Sequence, residues 1–303
     1  MKVLITGGAG FIGSHIVDSL IKKNYKVVIV DNLSTGKNIN KLSKFYKADI
    51  TEDIDKIFKI EKPDIVIHAA AQVMLRKSIE DPIFDAKTNI FGTINVLEAC
   101  RKNNVKKIIY TSTGGARVGN PEYLPVDEKH PLNPCSPYGI SKHSAEHYVW
   151  MYNQIYSLDY LIFCFGNVYG PRDDPSCGRV TSLFANKLLK GEIPTIFGDG
   201  NQTRDFIYVL DLAEFIVNSI EKNPSHKLFH LANGKQISVN EIFNILKKLS
   251  GFKGNAKYVD AIKGEVRDIV LDISLAQKEL NWKPKHDFYE GLKKTFEWFK
   301  ERK

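Results

Sequence analysis

Tyr138 and Lys142 stand four residues apart in the stretch Ser136-Pro137-Tyr138-Gly139-Ile140-Ser141-Lys142. Such a pair can do acid–base chemistry at a carbon that loses or gains hydride. A free phenol has a pKa of about 10, which makes it a poor base near neutrality. A neighbouring ammonium favours the phenolate and lowers that value. The spacing matters only on a helix, where positions i and i+4 share a face. The local sequence predicts one. Ser136 can cap it, and Pro137 suits the first helical position, where its missing N–H would have had no partner. By itself the spacing more often marks a buried tyrosine beside a solvated lysine, so its meaning rests on the elements around it.

Those elements begin with a strand from Lys2 to Thr6, the turn Gly7-Gly8-Ala9-Gly10-Phe11-Ile12-Gly13, and helical periodicity from Ser14 to Ile21. Glycines in such a turn let the backbone approach a pyrophosphate, which rests on the helix N-terminus. Gly7, Gly10 and Gly13 fit the wider-spaced form of the dinucleotide fingerprint, and Gly8, Gly10 and Gly13 the general one. A second strand, Lys26 to Val30, ends in Asp31, 18 residues past Gly13, where a ribose-binding carboxylate is expected. Asn32-Leu33-Ser34-Thr35-Gly36 follows without an arginine. A 2′-phosphate would meet a carboxylate there, so NAD is favoured over NADP.

A third strand is expected over Tyr46 to Ile50, with Asp49 facing the adenine amine. Asp64 to His68 reads as a fourth strand, and Ala69-Ala70-Ala71 at its end would let a cofactor come close. A helix over Thr88 to Asn103 carries the polar Asn89 near its start on a buried element. Val105 to Tyr110 is a fifth strand that ends in Thr111-Ser112-Thr113-Gly114-Gly115. The hydroxyls of Ser112 and Thr113 are placed to hydrogen-bond a substrate oxygen beside Tyr138. The helix of Tyr138 runs to about Tyr156, and Tyr160 to Phe165 is a sixth strand. Phe11, Ile12, Asn32, Ser34, Thr35, Gly36, Ile50 and Phe165 complete the candidate cofactor contacts.

The alternation of strands and helices implies an α/β fold, a Rossmann-type doubly wound parallel sheet with a smaller C-terminal substrate-binding domain. The expected division gives residues 1–166 and roughly 206–234 to the NAD-binding domain, and 167–205 with 235–303 to the smaller one. The segment of Ile207-Tyr208-Val209, a helix from Asp211 to Glu221, and Lys227 to Leu231 is expected to return to the larger domain. At 303 residues the chain can bury a sizeable core. Its net charge of +8 is spread along the whole length, which fits a solvated surface and a small anionic substrate better than nucleic acid. Four scattered cysteines without Cys-x-x-Cys spacing read as free thiols of a cytoplasmic protein. Neither a signal peptide nor a membrane span is expected, and no metal site.

Taken together, the segments resemble the extended short-chain dehydrogenase/reductase superfamily, most closely the UDP-glucose (UDP-galactose) 4-epimerases. The resemblance is carried by Thr6 to Ser14, Asp31-Asn32-Leu33, His68 to Gln72, Ser112 to Ala116, Ser136 to Gly139, Gly166-Asn167-Val168-Tyr169-Gly170-Pro171-Arg172, and Phe197-Gly198-Asp199-Gly200 running into Arg204-Asp205-Phe206. It covers essentially the whole chain. It implies that Tyr138 is the base, that Lys142 tunes it and binds the nicotinamide ribose, and that Thr113 is the helper hydroxyl. It implies that Asn167 and Arg204 hold the diphosphate of a UDP-sugar, and that Phe197 and the backbone near Thr195 line the uracil pocket. It also implies a homodimer built on helices at 84–103 and 138–157.

The chain departs from the family pattern in three places. Arg117-Val118 stands where a tyrosine usually precedes Gly119, Cys164 stands where an arginine usually ends the sixth strand, and Ile262-Lys263-Gly264-Glu265 replaces an Arg-x-Gly-Asp. Lys263 or Arg267 is the expected substitute cation, and Val118 and Ile269 are candidates to line the sugar pocket. Dehydratases and decarboxylases of the superfamily carry carboxylates after the active-site threonine. Here Gly114-Gly115-Ala116 follows Thr113, which argues for epimerisation.

Overall fold

The computed structural model describes residues 1–261 and 266–302. Its strands are β1 (Lys2–Thr6), β2 (Lys26–Asp31), β3 (Lys44–Lys47), β4 (Ile65–His68), β5 (Lys107–Thr113), β6 (Asp159–Phe165), β7 (Asn167–Tyr169), β8 (Thr195–Phe197), β9 (Thr203–Tyr208), β10 (Leu228–Leu231), β11 (Gln236–Ser238) and β12 (Lys257–Val259). Seven form one parallel sheet in the order β10-β6-β5-β4-β1-β2-β3. Both faces are covered, which is why these strands read as unbroken apolar runs. Val3, Ile5, Ile29, Ile67, Ile109 and Leu161 pack on one side against Ile16, Val17 and Leu20 of the Phe11–Lys22 helix and Leu212 and Ile216 of the Val209–Asn218 helix. Leu4, Val28, Val66, Ile108 and Ile162 pack on the other side against Val96 and Leu97 of the Gly92–Lys102 helix and Ala145 and Val149 of the Pro137–Tyr156 helix.

The order of the sheet reverses between β1 and β4, and the carboxyl ends of strands flanking such a point are where this architecture binds ligands. There the turn after β1 meets the alanines after β4. Thr6 Oγ1 lies 2.6 Å from His68 Nδ1, and the amide of Ala70 donates to Thr6 Oγ1 at 3.3 Å. Among the described residues, no helix is long and apolar enough to cross a membrane.

A second layer carries the three-stranded sheet β11-β9-β7 and the pair β12-β8. Tyr169, Phe206 and Tyr208 build a separate core with Phe184, Phe243, Phe288 and Phe296 from the Val180–Leu189, Val239–Ser250 and Phe288–Lys300 helices.

Four local expectations are revised. The third strand is Lys44–Lys47 rather than Tyr46 to Ile50, because Asp49 accepts hydrogen bonds from the amide and hydroxyl of Thr51 and turns the chain out of the sheet. β5 runs on through Thr111 to Thr113, past the Tyr110 expected as its last residue, paired with Phe163 to Phe165. The helix expected from Thr88 starts as a π-helical stretch, Lys87–Phe91, before Gly92–Lys102. Ile207 and Tyr208 pair with β7 in the smaller sheet, and only the helix and β10 after them return to the large one.

Candidate active site

The glycine turn is shaped as a cradle that side chains would fill. A Cβ on Gly13 would lie 2.0 Å from the Gly7 carbonyl oxygen, and one on Gly7, at φ +71°, 2.6 Å from the Ala70 amide nitrogen. The Phe11–Lys22 helix starts on Gly10 with no side-chain cap, so its first amides, at Phe11 and Ile12, face outward. Those amides and the helix dipole suit a diphosphate. Asp31 ends β2 beside them. Its carboxylate accepts the amides of Ala9 at 3.0 Å and Leu33 at 2.8 Å, and burial raises its pKa. Asn32, Ser34, Thr35 and Gly36 then run back over the turn, where a Cβ on Gly36 would lie 2.2 Å from the Ala9 carbonyl oxygen. The cradle, the outward amides and the acid at the end of β2 together fit NAD. Asp49 Oδ2 is held by Asn32 Nδ2 at 2.7 Å, and Ile50 is buried beneath Gly92.

Asn89 faces away from this cleft. Its amide nitrogen donates to the Gln72 carbonyl at 3.0 Å and to Asp85 at 3.1 Å, and lies 3.1 Å from Ser141 Oγ, while its oxygen accepts from the Gln72 amide at 2.9 Å. Asn89 thus ties the backbone after Ala69-Ala70-Ala71 to the helix that bears Lys142. Its bearing on a cofactor runs through that backbone.

Ser136 caps the Pro137–Tyr156 helix by accepting the Gly139 amide at 3.1 Å, with Pro137 in the first turn. Tyr138 and Lys142 follow on one face, next to the end of β5. Thr113 hydrogen-bonds the Tyr138 phenol. Burial pushes that phenol up to about 12. The field of Arg179 opposes the rise, Asp85 adds to it, and the Thr113 bond again opposes it. Burial lowers Lys142 to about 8, against Glu146, Cys164 and Asp85, and its amine lies 4.2 Å from the Tyr110 ring centroid. Desolvation is the largest influence on both groups, and among the charges acting on the phenol Arg179 is the largest.

Ser112 points behind the cleft and donates to Glu146, four residues after Lys142 on the same helix. Here two of the departures meet. Arg117 Nη1 donates to Cys164 Sγ at 3.3 Å, and Arg117 Nη2 lies 3.2 Å from Glu146. Val118 and Ile269 are core residues with Val126 and Leu271 rather than pocket lining. Phe165 ends β6, buried.

On the opposite wall, Asn167 opens β7, and Thr195 and Phe197 flank β8. The guanidinium of Arg76 lies 5.4 Å from the Phe197 ring centroid. Arg204 donates to the carbonyls of Thr203 at 2.8 Å and Arg267 at 3.0 Å, and Arg267 pairs with Asp199 at 3.1 Å. Lys263 lies outside the described residues. Sequence reading missed Arg76, Glu146 and Arg179. Each is a charged residue in a loop or on a helix, with no local pattern to separate it from a solvated one.

Three comparisons bear on this site. Residues 3–237 match the profile of the NAD dependent epimerase/dehydratase family. A candidate UDP-glucose 4-epimerase of Methanocaldococcus jannaschii is 49% identical over 98% of both chains, and a UDP-glucuronate 4-epimerase of Thermodesulfobacterium geofontis is 37% identical over 98% of this chain and 96% of its own. A crystal structure of the Thermotoga maritima UDP-glucose 4-epimerase with UDP-glucose superposes with a TM-score of 0.97 at 41% identity, covering 100% of this chain and 99% of that one.

Proposed function

The chain belongs to the NAD dependent epimerase/dehydratase family, and we propose that it interconverts the C4 epimers of a UDP-hexose through a 4-keto intermediate. It is an isomerase of the extended short-chain dehydrogenase/reductase superfamily, and NAD is its cofactor. One observation carries the reading: Thr113 and Tyr138 are hydrogen-bonded at the carboxyl edge of the sheet with Lys142 one turn on, and Gly114-Gly115-Ala116 adds no carboxylate for elimination.

When bound, NAD would supply the hydride acceptor and donor for C4, held by the glycine turn and Asp31. Tyr138 removes the proton of the 4-hydroxyl and gives it back, and Thr113 holds the phenol toward that oxygen. Lys142 binds the nicotinamide ribose. Asn167, Arg204 and Arg267 hold the diphosphate, and Thr195 and Phe197 the uracil, while the sugar turns. We assign cofactor binding to residues 1–166 with 209–234, where the chain has returned to the large sheet, and sugar binding mainly to 167–208 with 235–303.

Incubating the protein with UDP-hexoses, no reductant added, should yield the C4 epimer by chromatography. Loss of water or CO2 from the substrate in place of epimerisation would overturn the reading.

The same reading includes a homodimer. Ile83, Phe91, Ile140 and Trp150 are exposed by 80%, 52%, 50% and 52% on the helical segments 82–102 and 137–156. Exposed apolar side chains of this size on packed helices suit a face that is covered in solution. Light scattering should give twice the chain mass, and Ile140→Asp should give the chain mass. A wild-type monomer at micromolar concentration would end the proposal.

A further inference from the structure

The Pro137–Tyr156 helix carries a second pair at the spacing of Tyr138 and Lys142. His143 and His147 also stand four residues apart, on a more exposed face. Their Nε2 atoms are 3.3 Å apart and their ring centroids 4.7 Å. Side chains at i and i+4 are neighbours on a helix, and this one is 20 residues long and capped, so a rigid element holds the two rings together. His143 Nδ1 lies 3.1 Å from Glu146 Oε2. A carboxylate only accepts, so Nδ1 carries the proton and Nε2 of the neutral ring is a bare lone pair. Glu146 is buried and paired with Arg117, which fixes the tautomer of His143 from beneath. A carboxylate behind an imidazole whose other nitrogen is free is the arrangement that orients histidine ligands on metal ions.

The separation of the two Nε2 atoms points to the kind of ion. As a hydrogen bond 3.3 Å is long, beyond the usual range of about 2.7–3.2 Å. Two imidazole nitrogens bound to one tetrahedral zinc ion, at the usual bond length, lie about 3.3–3.4 Å apart. The same bonds at right angles, as in a square-planar site, would bring them to about 2.9 Å. The pair therefore already spans one edge of a tetrahedron.

From this geometry we propose that His143 and His147 bind a tetrahedral divalent cation of the zinc class through their Nε2 atoms, with Glu146 orienting His143 and water in the other two positions. The proposal reverses the expectation, drawn from sequence, of no metal site, and it does not depend on the epimerase reading. Among the described residues no group of three or more His, Cys, Asp or Glu side chains could hold a metal ion, so this is a two-ligand site. His143 keeps 25% of its side chain exposed and His147 is exposed, which suits an ion that exchanges with solvent. The ion reaches the enzyme through Glu146, which also holds Arg117 and the Ser112 hydroxyl. A cation on Nε2 makes Nδ1–H a stronger donor to that carboxylate and so tightens the support of the catalytic helix. The pair lies between Ile140 and Trp150, in the stretch assigned above to the dimer face, so the test also separates a site within one chain from one completed by a second copy.

The test titrates Zn²⁺ into the NAD-bound full chain, free of any affinity tag, by calorimetry. It compares wild type with His143→Ala, His147→Ala, Ile140→Asp and His226→Ala, the last an exposed histidine paired with Glu279. Wild type should take up one Zn²⁺ per chain. His143→Ala and His147→Ala should each weaken binding by more than about tenfold, and His226→Ala and Ile140→Asp should leave it unchanged. Zn²⁺ should raise the melting temperature of wild type and not that of His147→Ala, which without metal should melt with wild type. Co²⁺ in place of Zn²⁺ should give wild type the intense visible absorption of a tetrahedral site. Equal Zn²⁺ binding by wild type and His147→Ala would mean an adventitious ion only and overturn the proposal. So would an equal loss in His226→Ala, or the faint absorption of octahedral Co²⁺. Loss of binding in Ile140→Asp would give the site to an interface between copies and overturn the one-chain site.

Discussion

Tyr138→Phe should lower kcat for C4 epimerisation by about 10²- to 10⁴-fold while NAD stays bound. The phenol is the only group of the Thr113, Tyr138 and Lys142 set that can both take and return a proton at a sugar hydroxyl and also sit in hydrogen-bond contact with the helper hydroxyl. Phenylalanine keeps the ring's packing and removes the oxygen, so the helix and its cap on Ser136 should survive. The direction of the pH dependence follows from the shifts. Burial raises the Tyr138 phenol to about 12, so the reactive phenolate grows as pH rises. The rate of wild type should therefore climb on the alkaline side, and the residual rate of Tyr138→Phe should lose that climb. Steady-state assays across pH, with cofactor content measured after denaturation, check both. A Tyr138→Phe protein with wild-type turnover would remove Tyr138 from the chemistry.

The central sheet was legible because its strands are covered on both faces. Lys2–Thr6, Lys26–Asp31 and Asp159–Phe165 announce themselves as apolar runs, and the glycine spacing is fixed by close backbone contact that any larger residue would break. The edge strand Lys44–Lys47 gives no such signal. It has only one neighbour, it is half-buried at best, and lysines end it on both sides. Tyr138 and Lys142 were legible as a pair because a helix converts their spacing into one face. Their electrostatics were not. Arg179, the largest charge acting on the phenol, follows a downstream loop that the His15–Pro171 and Arg172–Asp18 contacts tie to the Phe11–Lys22 helix, and no local pattern encodes that. The departures at Arg117 and Cys164 looked independent along the chain, and only the fold shows them in contact.

That contact sets the second large effect. Arg117→Leu should destabilise the protein by about 3–5 kcal/mol, because it removes the guanidinium of a buried ion pair and leaves Glu146 only His143, the Ser112 hydroxyl and the Cys164 thiol as partners. Arg117 and Glu146 are almost fully buried, with side-chain exposures of 4% and 5%. Against a typical total stability of about 5–15 kcal/mol, the loss is a large fraction. It should also reach the chemistry. Glu146 stands one turn beyond Lys142 and accepts the hydroxyl of Ser112, which adjoins Thr113, so both halves of the catalytic pair rest on it. The guanidinium and Cys164 share one space, with Sγ 3.3 Å from Arg117 Nη1 and 3.7 Å from Glu146 Oε1. An arginine on β6 at position 164 can therefore deliver the same charge to the same carboxylate from the opposite side. Cys164→Arg alone should destabilise, since it brings a second guanidinium against the first. In the Arg117→Leu background it should instead restore most of the melting temperature and of kcat. Thermal melts of the two single variants and the double measure the coupling directly. If the double variant shows the sum of the two single losses, Arg117 is held there by shape and the charge it carries to Glu146 is incidental.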